Sequence, residues 1–306
     1  MQKRGISVSY FIFFMRIFFG EITMKETQNL LDRIIEFNNS TIQYEENNNR
    51  AYLVKLSNMT VDLVIPYIEN LAKENHLGKI FCKVPENSIS YFLANGYTVE
   101  AKVPHFYNAE ENCLFASKFT NQQREILSPE ELREIASNLE LAKSKANSFQ
   151  QEIDDSIRFK VLDKKELDKA AKLYKSVFET YPYPVYDAKY LESTLDRIMY
   201  FGAFLNGRLI SCSAAEMNLE EKNVKMTDFA TDKEFLGKGI GSELLKIMER
   251  VMRTKEISTA YSITRAFSKG INITFAKNGY KYSGTLKNDV NIAGKIESMN
   301  VWYKFL

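Results

Sequence analysis

A chain of 306 residues, 45% of them hydrophobic, can bury one large core or two modest ones, and two domains is the natural expectation. Its 41 basic and 39 acidic residues leave a net charge of +2, and no basic stripe interleaved with aromatics stands out, so neither composition nor patterning offers a footprint for nucleic acid. Cys82, Cys113 and Cys212 are far apart and, with only His76 and His105 beside them, form no metal-ligand spacing; each sits in an apolar, strand-like run, reads as a small buried hydrophobe and suits a reducing cytoplasm.

In chain order, Ile6 to Phe19 is a strongly apolar run behind Lys3 and Arg4, but Arg16 interrupts it and no small-x-small cleavage site follows. At about 14 residues it is too short to cross a bilayer. Met24-Lys25-Glu26-Thr27 reads as the start of a soluble protein, with 1–23 a mis-assigned gene start or a disordered extension; a membrane-associating segment is the competing reading. From 24 to 120 the pattern is that of a smaller α/β domain. Two strand-like runs, Thr41–Tyr44 and Ala51–Leu56, flank the turn-forming Glu45–Asn49 and predict a hairpin. Thr60 is the expected cap of a helix to about His76, with Val61, Val64, Ile65, Ile68 and Leu71 on one face. A buried strand at Ile80–Val84, a short helix at Asn87–Ala94, an Asn95-Gly96-Tyr97 turn and paired strands ending at Phe119 follow.

Ser128-Pro129-Glu130-Glu131 predicts a capped helix with proline in its first turn, running to about Phe149 within a helical linker over 121–156. The region 157–306 opens with a strand, Ile157–Leu162, and an amphipathic helix, Lys164–Phe178. A loop, Glu179-Thr180-Tyr181-Pro182-Tyr183-Pro184-Val185-Tyr186-Asp187, leads to a helix over about Ala188–Met199. Strands at Tyr200–Leu205, Arg208–Met217 and Val224–Thr231 are joined by turns at Asn206-Gly207 and Glu220–Lys222. A glycine-rich turn, Leu236-Gly237-Lys238-Gly239-Ile240-Gly241, then enters a helix over Ser242–Met252. Strand Ser258–Ile263, a helix near Asn272–Ala276, an Asn278-Gly279-Tyr280 turn and closing strands finish the chain.

A strand that passes through closely spaced glycines into a helix builds an anion cradle, because the backbone can approach a ligand while the first helical N–H groups and the positive end of the dipole face its charge. The expected ligand carries a pyrophosphate. Ser242-Glu243 after the last glycine does not match a P-loop, and the glycine spacing does not match a Rossmann fingerprint; a plain glycine-rich turn is the bland alternative. Leu236, Gly239 and Gly241 stand at the fixed positions of Arg/Gln-x-x-Gly-x-Gly/Ala, so the turn resembles the acetyl-CoA signature of the GNAT acetyltransferase superfamily, departing from it at Leu236. The element order β-α-α-β-β-β-α-β-α-β-β over 157–306 resembles the GNAT fold as well. The predicted class is therefore α/β (α+β, mixed sheet), with a GNAT acyltransferase domain at 157–306 behind the smaller α/β domain at 24–120. Tyr91–Tyr97 parallels Thr274–Tyr280, and Ala116–Phe119 parallels Trp302–Phe305. Residues 24–120 thus read either as a truncated GNAT-like half, lacking a glycine turn and therefore CoA, or as a plain α/β domain with a coincidental match.

The GNAT resemblance implies acetyl-CoA as co-substrate and no metal. It implies a cleft where the strand through Phe229, Ala230 and Thr231 splays from Ser258–Ile263, with the backbone of those three residues on the pantetheine arm. The N–H groups of Gly237, Lys238, Gly239, Ile240, Gly241 and Ser242 would hold the pyrophosphate, with charge added by Lys238. Asn272 matches a further cofactor position, helix capping being its alternative. The acceptor amine must be neutral to attack, and a lysine-like amine ordinarily has a pKa of about 10.4. Asp228 and Glu216, on central strands bordering the cleft, are candidate bases, or else binders of the substrate ammonium or solvated edge groups. The family often places a tyrosine, as acid to the leaving thiolate, where this chain has Phe275; Tyr280 and Tyr261 are substitutes by proximity. Tyr181 and Tyr183 lie in the acceptor loop and offer aromatic faces to a cationic amine, a rigid surface turn being the alternative.

Glu-Thr-Tyr-Pro-Tyr-Pro at 179–184, Thr-Asp-Phe-Ala-Thr at 227–231, Met-Asn-Val-Trp-Tyr-Lys at 299–304 and Gly-Tyr-Thr-Val-Glu-Ala-Lys-Val-Pro at 96–104 together resemble the β-lysine N-acetyltransferase family, from about Met24 to Leu306. That resemblance implies acetyl transfer from acetyl-CoA to the side-chain amine of β-lysine, supplied by a lysine 2,3-aminomutase. The product implied is Nε-acetyl-β-lysine, a compatible solute of osmoadaptation. No nucleic-acid or membrane partner is expected, and a homodimer is an open option. Beside this stand a GNAT acting on another small amine or a protein lysine, and a non-catalytic acyl-CoA sensor motivated by Phe275.

Overall fold

The computed structural model describes residues 22–26, 32–146, 148 and 152–306. The expected leader therefore lies outside the described residues except at its last two positions. Two compact units divide the chain, one of Met1–Val99 with Leu114–Glu125 and one of Glu100–Cys113 with Ile126–Leu306.

The first unit is built on β1 (Ile22–Glu26), β2 (Asp32–Phe37), β3 (Ser40–Glu45), β4 (Arg50–Lys55), α1 (Val61–Glu74), β5 (Lys79–Pro85), α2 (Ile89–Ala94), β6 (Thr98–Tyr107), β7 (Glu111–Phe119) and α3 (Gln122–Glu125); the outer part of the β6–β7 hairpin groups with the second unit. The sheet order is β1-β2-β3-β4-β5-β7-β6, and β4 runs parallel to β5 from Arg50–Leu53 against Lys79–Cys82. Its core joins Ile42, Leu53, Ile80 and Phe92 to the α1 residues Val64, Ile65 and Ile68, the face that helical spacing predicts. One strand lies where the sequence reading placed no element, and one expected cap is not made. Asp32–Phe37 is a strand, because Ile35 and Phe37 alternate into the core. Thr60 precedes α1 without capping it, since its hydroxyl donates instead to Asn38 O at 3.2 Å and Ser57 O at 3.4 Å.

The second unit adds α4 (Pro129–Ser144), β8 (Arg158–Val161), α5 (Leu167–Val177), α6 (Ala188–Ser193), β9 (Ile198–Leu205), β10 (Arg208–Asn218), β11 (Asn223–Thr231), α7 (Ile240–Arg253), β12 (Thr259–Arg265), α8 (Lys269–Lys277), β13 (Lys281–Ile292) and β14 (Lys295–Phe305). Its sheet order, β8-β9-β10-β11-β12-β14-β13, repeats that of the first sheet strand for strand, with one parallel step, here between β11 and β12. Helix α4 carries the expected capping box: Glu131 N–H donates to Ser128 Oγ at 3.2 Å, and Ser128 N–H to the Glu131 carboxylate at 2.8 Å. The helix groups with the second unit, where Asn138 Nδ2 donates to Ala266 O. Its expected end, Phe149, is outside the described residues. The helix after the acceptor loop is shorter than the apolar pattern implies. It stops at Ser193, where Thr194 Oγ1 bonds to Leu191 O and to Tyr200 Oη, and Ile198 already belongs to β9. The Asn206-Gly207 turn has φ of +50° and +79°, the pair a tight hairpin with right-handed strand twist needs.

The tip of the β6–β7 hairpin is tied into this unit. Asn223 Nδ2 donates to Phe106 O at 3.0 Å and Thr259 Oγ1 to His105 O at 2.7 Å; Asn223 and Thr259 are the first register pair of the parallel strands. Further along, Lys102 N–H donates to Ser283 Oγ at 2.8 Å beside Gly284, where a Cβ would collide with the Glu100 carbonyl oxygen.

Candidate active site

Strands β11 and β12 pair only from Asn223–Lys225 against Thr259–Tyr261. At the next step Ser262 Oγ donates to Met226 O at 2.6 Å in place of a ladder bond, and beyond it β11 runs on to Thr231 with no strand on that edge among the described residues. Its other edge stays paired with β10 through Ala230↔Cys212 and Thr231↔Ser211. The backbone of Phe229, Ala230 and Thr231 therefore borders an open wedge, as expected of a groove for an extended arm.

The wedge leads into the glycine turn. Gly237 and Gly239 have φ of +78° and +77°, and Gly239 is the N-cap of α7. Helical bonding begins with Glu243 N–H to Gly239 O at 3.1 Å, so the N–H groups of Ile240, Gly241 and Ser242 have no acceptor within the helix. Outside its chain neighbours and its own helix backbone, none of the described residues comes within 4 Å of a Cβ placed on Gly241, so the turn is open on that side. Ile240, Leu244, Leu245, Met248 and Met252 anchor the helix from its opposite side. Lys238 is exposed, its ammonium 4.7 Å from the Phe235 ring centroid, and Leu236 is exposed without a polar group to offer. Free N–H groups, a dipole and room for close approach fit the pyrophosphate of acetyl-CoA.

Opposite Ser213 of β10, β11 carries a bulge between Thr227 and Ala230, and there Asp228 takes φ +56°, a conformation Asp accepts more readily than bulky side chains. The bulge turns the carboxylate toward the acceptor loop. Tyr181 Oη donates to Asp228 Oδ1 at 2.5 Å and Thr227 Oγ1 to the same oxygen at 2.8 Å. Asp228 keeps some accessible surface, yet protein surrounds it closely enough that burial raises its pKa, against the lowering pull of these two hydrogen bonds and of Lys225. Tyr181 stacks on Phe178 at 4.5 Å between centroids, and Phe178 on Tyr174. Burial first, then the Asp228 charge, holds the Tyr181 phenol well above its usual pKa. Tyr190, pushed up to about 12 by burial, faces Arg197, Asp228 and Glu216. The arrangement is a partly dry carboxylate ringed by phenols, suited to hold an ammonium group and to take its proton.

The structure brings Asp228 and Tyr181 together, and places Tyr183 on the same loop, packed against the cluster that contains Tyr174, Tyr200 and Cys212. Glu216 lies on the neighbouring strand but is half-exposed and paired, accepting from Arg197 Nη1 at 3.0 Å. Tyr280 is elsewhere, packed edge-on to Phe275 with its buried hydroxyl facing Glu249. Phe275 is fully buried between Phe229 and Tyr280 and has no proton to give. Asn272 neither caps α8 nor has side-chain capacity left for a cofactor. Its amide donates to Arg265 O and Ser268 O, and its oxygen accepts from Thr264 Oγ1, Asn300 Nδ2 and Trp302 Nε1. Sequence reasoning missed Thr227, Tyr190 and Arg197. Thr227 was within reach as the first residue of Thr-Asp-Phe-Ala-Thr, whereas nothing local marks Arg197.

Residues 167–280 match the family model described as the acetyltransferase (GNAT) family. Over 275 residues, 90% of this chain and 99% of the relative, the sequence is 36% identical to a β-lysine N(6)-acetyltransferase of Methanococcus maripaludis. It is 27% identical to the β-lysine N(6)-acetyltransferase of Methanosarcina mazei over 78% of this chain and 95% of that one, and 27% identical to the N-acetyltransferase YodP of Bacillus subtilis over 87% and 96%. With the splayed strands, the open glycine cradle and this near end-to-end similarity, the chain belongs to the β-lysine N(6)-acetyltransferase family of GNAT proteins and is an acetyl-CoA-dependent N-acetyltransferase.

Proposed function

We propose that the protein transfers the acetyl group of acetyl-CoA to the side-chain amine of β-lysine, giving Nε-acetyl-β-lysine. The observation that carries this reading is Asp228: a carboxylate turned out of its strand by a bulge, bonded by Tyr181 and Thr227 and set beside the wedge. Acetyl-CoA supplies a thioester carbonyl open to attack. The chain's residues do the rest. The N–H groups of 237–242 hold the pyrophosphate, and the bare edge of β11 at 229–231 aligns the arm so that the thioester lies along the wedge. Asp228 draws in the acceptor ammonium and accepts its proton, leaving the neutral amine that attack requires; burial raises its pKa in the direction that makes it a better base. Glu216 and Tyr183 border the acceptor, and Phe275 leaves protonation of the departing thiolate to solvent or to the transferred proton.

β-Lysine carries two ammonium groups and one carboxylate, so acetylating one amine leaves a net-neutral zwitterion that accumulates without counterions. That chemistry suits a compatible solute made in the cytoplasm from the product of a lysine 2,3-aminomutase. Acetyl transfer is assigned to 157–306; the corresponding turn of the first unit, Leu56–Thr60, contains no glycine and offers no CoA cradle.

The test is thiol release from acetyl-CoA with β-lysine, lysine, ornithine and polyamines, with mass detection of the products. β-Lysine is expected to give the highest kcat/KM. A preference for lysine or polyamines overturns the acceptor, and acetyl-CoA binding without turnover of any amine favours the sensor reading that Phe275 motivates.

A further inference from the structure

Arg197 stands in the short connection between α6 and β9 with its backbone held on both sides: its N–H donates to Thr194 O at 3.1 Å and its carbonyl accepts from Met217 N–H at 2.8 Å. The side chain is about half exposed, 48% accessible, and gives one N–H to Glu216 Oε1 at 3.0 Å. A second neighbour, the Tyr190 hydroxyl, faces the same guanidinium. A guanidinium has five N–H groups in a planar fork, so two neighbours can orient it and still leave donors for another carboxylate. The position matters as much as the capacity. Glu216, which holds Arg197, is the register partner of Lys225, three residues before Asp228 on β11, and Tyr190 and Tyr200 lie within electrostatic reach of both Asp228 and Arg197. Lys225, the cross-strand partner of Glu216, is a cation that acts on Asp228 directly.

We infer that Arg197 reads the carboxylate of the acceptor, so that an amino acid with a second amine enters with that amine toward Asp228. The inference rests on the amino-acid acceptor proposed above. Arg197 is a specificity residue: it touches the substrate at the end remote from the reacting amine, and Glu216 holds its fork in place. Binding at that remote end orients the reacting end, which an acceptor without a carboxylate cannot exploit.

The test compares β-lysine with its decarboxylated diamine as acceptors for the full chain, using wild type, Arg197→Met, Arg197→Lys and Lys225→Met. Loss of one charge-assisted contact to a carboxylate is expected to lower the ratio of kcat/KM for β-lysine over the diamine by roughly 100-fold in Arg197→Met, mainly through KM. Arg197→Lys is expected to recover about a tenth of the lost ratio or more, as a point charge without the fork. A ratio that does not move in Arg197→Met, an equal loss with both acceptors, or a collapse in Lys225→Met instead would each overturn the inference. Thermal midpoints of the variants separate these outcomes from misfolding, since the backbone bonds of residue 197 do not depend on its side chain. Failure of the acceptor assignment shows in the wild type, as turnover of another amino acid in place of β-lysine, and the ratio is then read on that amino acid and its own decarboxylated amine. Failure of the Arg197 inference shows in the variants while the wild type still acetylates β-lysine.

Discussion

Asp228, the proposed base, joins backbone conformation and electrostatics in one residue. Its positive φ belongs to the bulge, and the bulge is what lifts the carboxylate out of the sheet to meet Tyr181. Burial raises its pKa above the ordinary 3.8, so the folded state is favoured by the protonated form. The contribution of this group to stability is therefore present below pH 3.8 and is lost as pH rises through the raised folded value. Asp228→Asn, which also accepts the left-handed conformation, is expected to melt higher than wild type at neutral pH, with the advantage vanishing below pH 3.8. Its kcat/KM is expected to fall by about 100-fold or more, and the acid limb of its pH–rate profile to disappear. Thermal denaturation and steady-state rates across pH check both halves. Asn272 shows the opposite balance. Buried and bonded at both ends, it links β12, α8 and β14, and Asn272→Ala is expected to cost on the order of 3 kcal/mol in denaturant titration while the folded fraction keeps its affinity for acetyl-CoA. A position in a family pattern pointed Asn272 at the cofactor; its actual partners come from strands that sequence adjacency does not reveal.

Among the elements, the glycine turn was the most legible because its proposed role resides in backbone. Strand, glycines and an amphipathic helix are all written locally, and the left-handed conformation of Gly239 follows from the demand for a sharp turn. Gly241 separates folding from its proposed cofactor role: apart from its chain neighbours and helix backbone, none of the described residues stands near where its Cβ would go. Gly241→Ala is therefore expected to hold or raise stability, by about 0.5–1 kcal/mol, through helix propensity and a less flexible unfolded chain. Acetyl-CoA affinity is expected to drop at least tenfold, which calorimetric titration reads directly. The helix after the acceptor loop was less legible. Glu192–Arg197 carries no glycine or proline to mark a break before Ile198–Phe204, and only the sheet decides where the helix ends and the strand begins.

At the scale of the whole molecule, the two sheets share one strand order, and the Asn-Gly-Tyr echo at 95–97 and 278–280 marks the same place in each. They differ at the parallel step. In the first sheet the parallel pair covers four residues, Arg50–Leu53, of a six-residue strand, whereas in the second it covers three, Asn223–Lys225, of nine before the strands part. The tip of the β6–β7 hairpin supplies acceptors to Asn223 and Thr259 at the closed end of that wedge. Residues 157–306 expressed alone would lack it. Such a fragment is expected to be less stable than the full chain and to bind acetyl-CoA more weakly, which solubility, thermal midpoint and titration measure. Gly284→Ala tests the same docking within the intact chain. Its Cβ would meet Ala101 Cα at 2.9 Å and collide with the Glu100 carbonyl oxygen, and a loss of about 3 kcal/mol is expected in chemical denaturation.

By itself the sequence determined a glycine turn between a strand and an amphipathic helix, and the strand order around it. Those features depend on backbone conformation and hydrophobic period, which are local and repeat along the chain. The surroundings of the proposed acceptor residues were decided only by tertiary structure. A bulge turned Asp228 toward a tyrosine from a distant loop, Arg197 and Glu216 met across neighbouring segments, and Asn272 was drawn into the core. Side-chain direction, burial and charge pairing are set by which strands become neighbours, and no window along the chain contains that information.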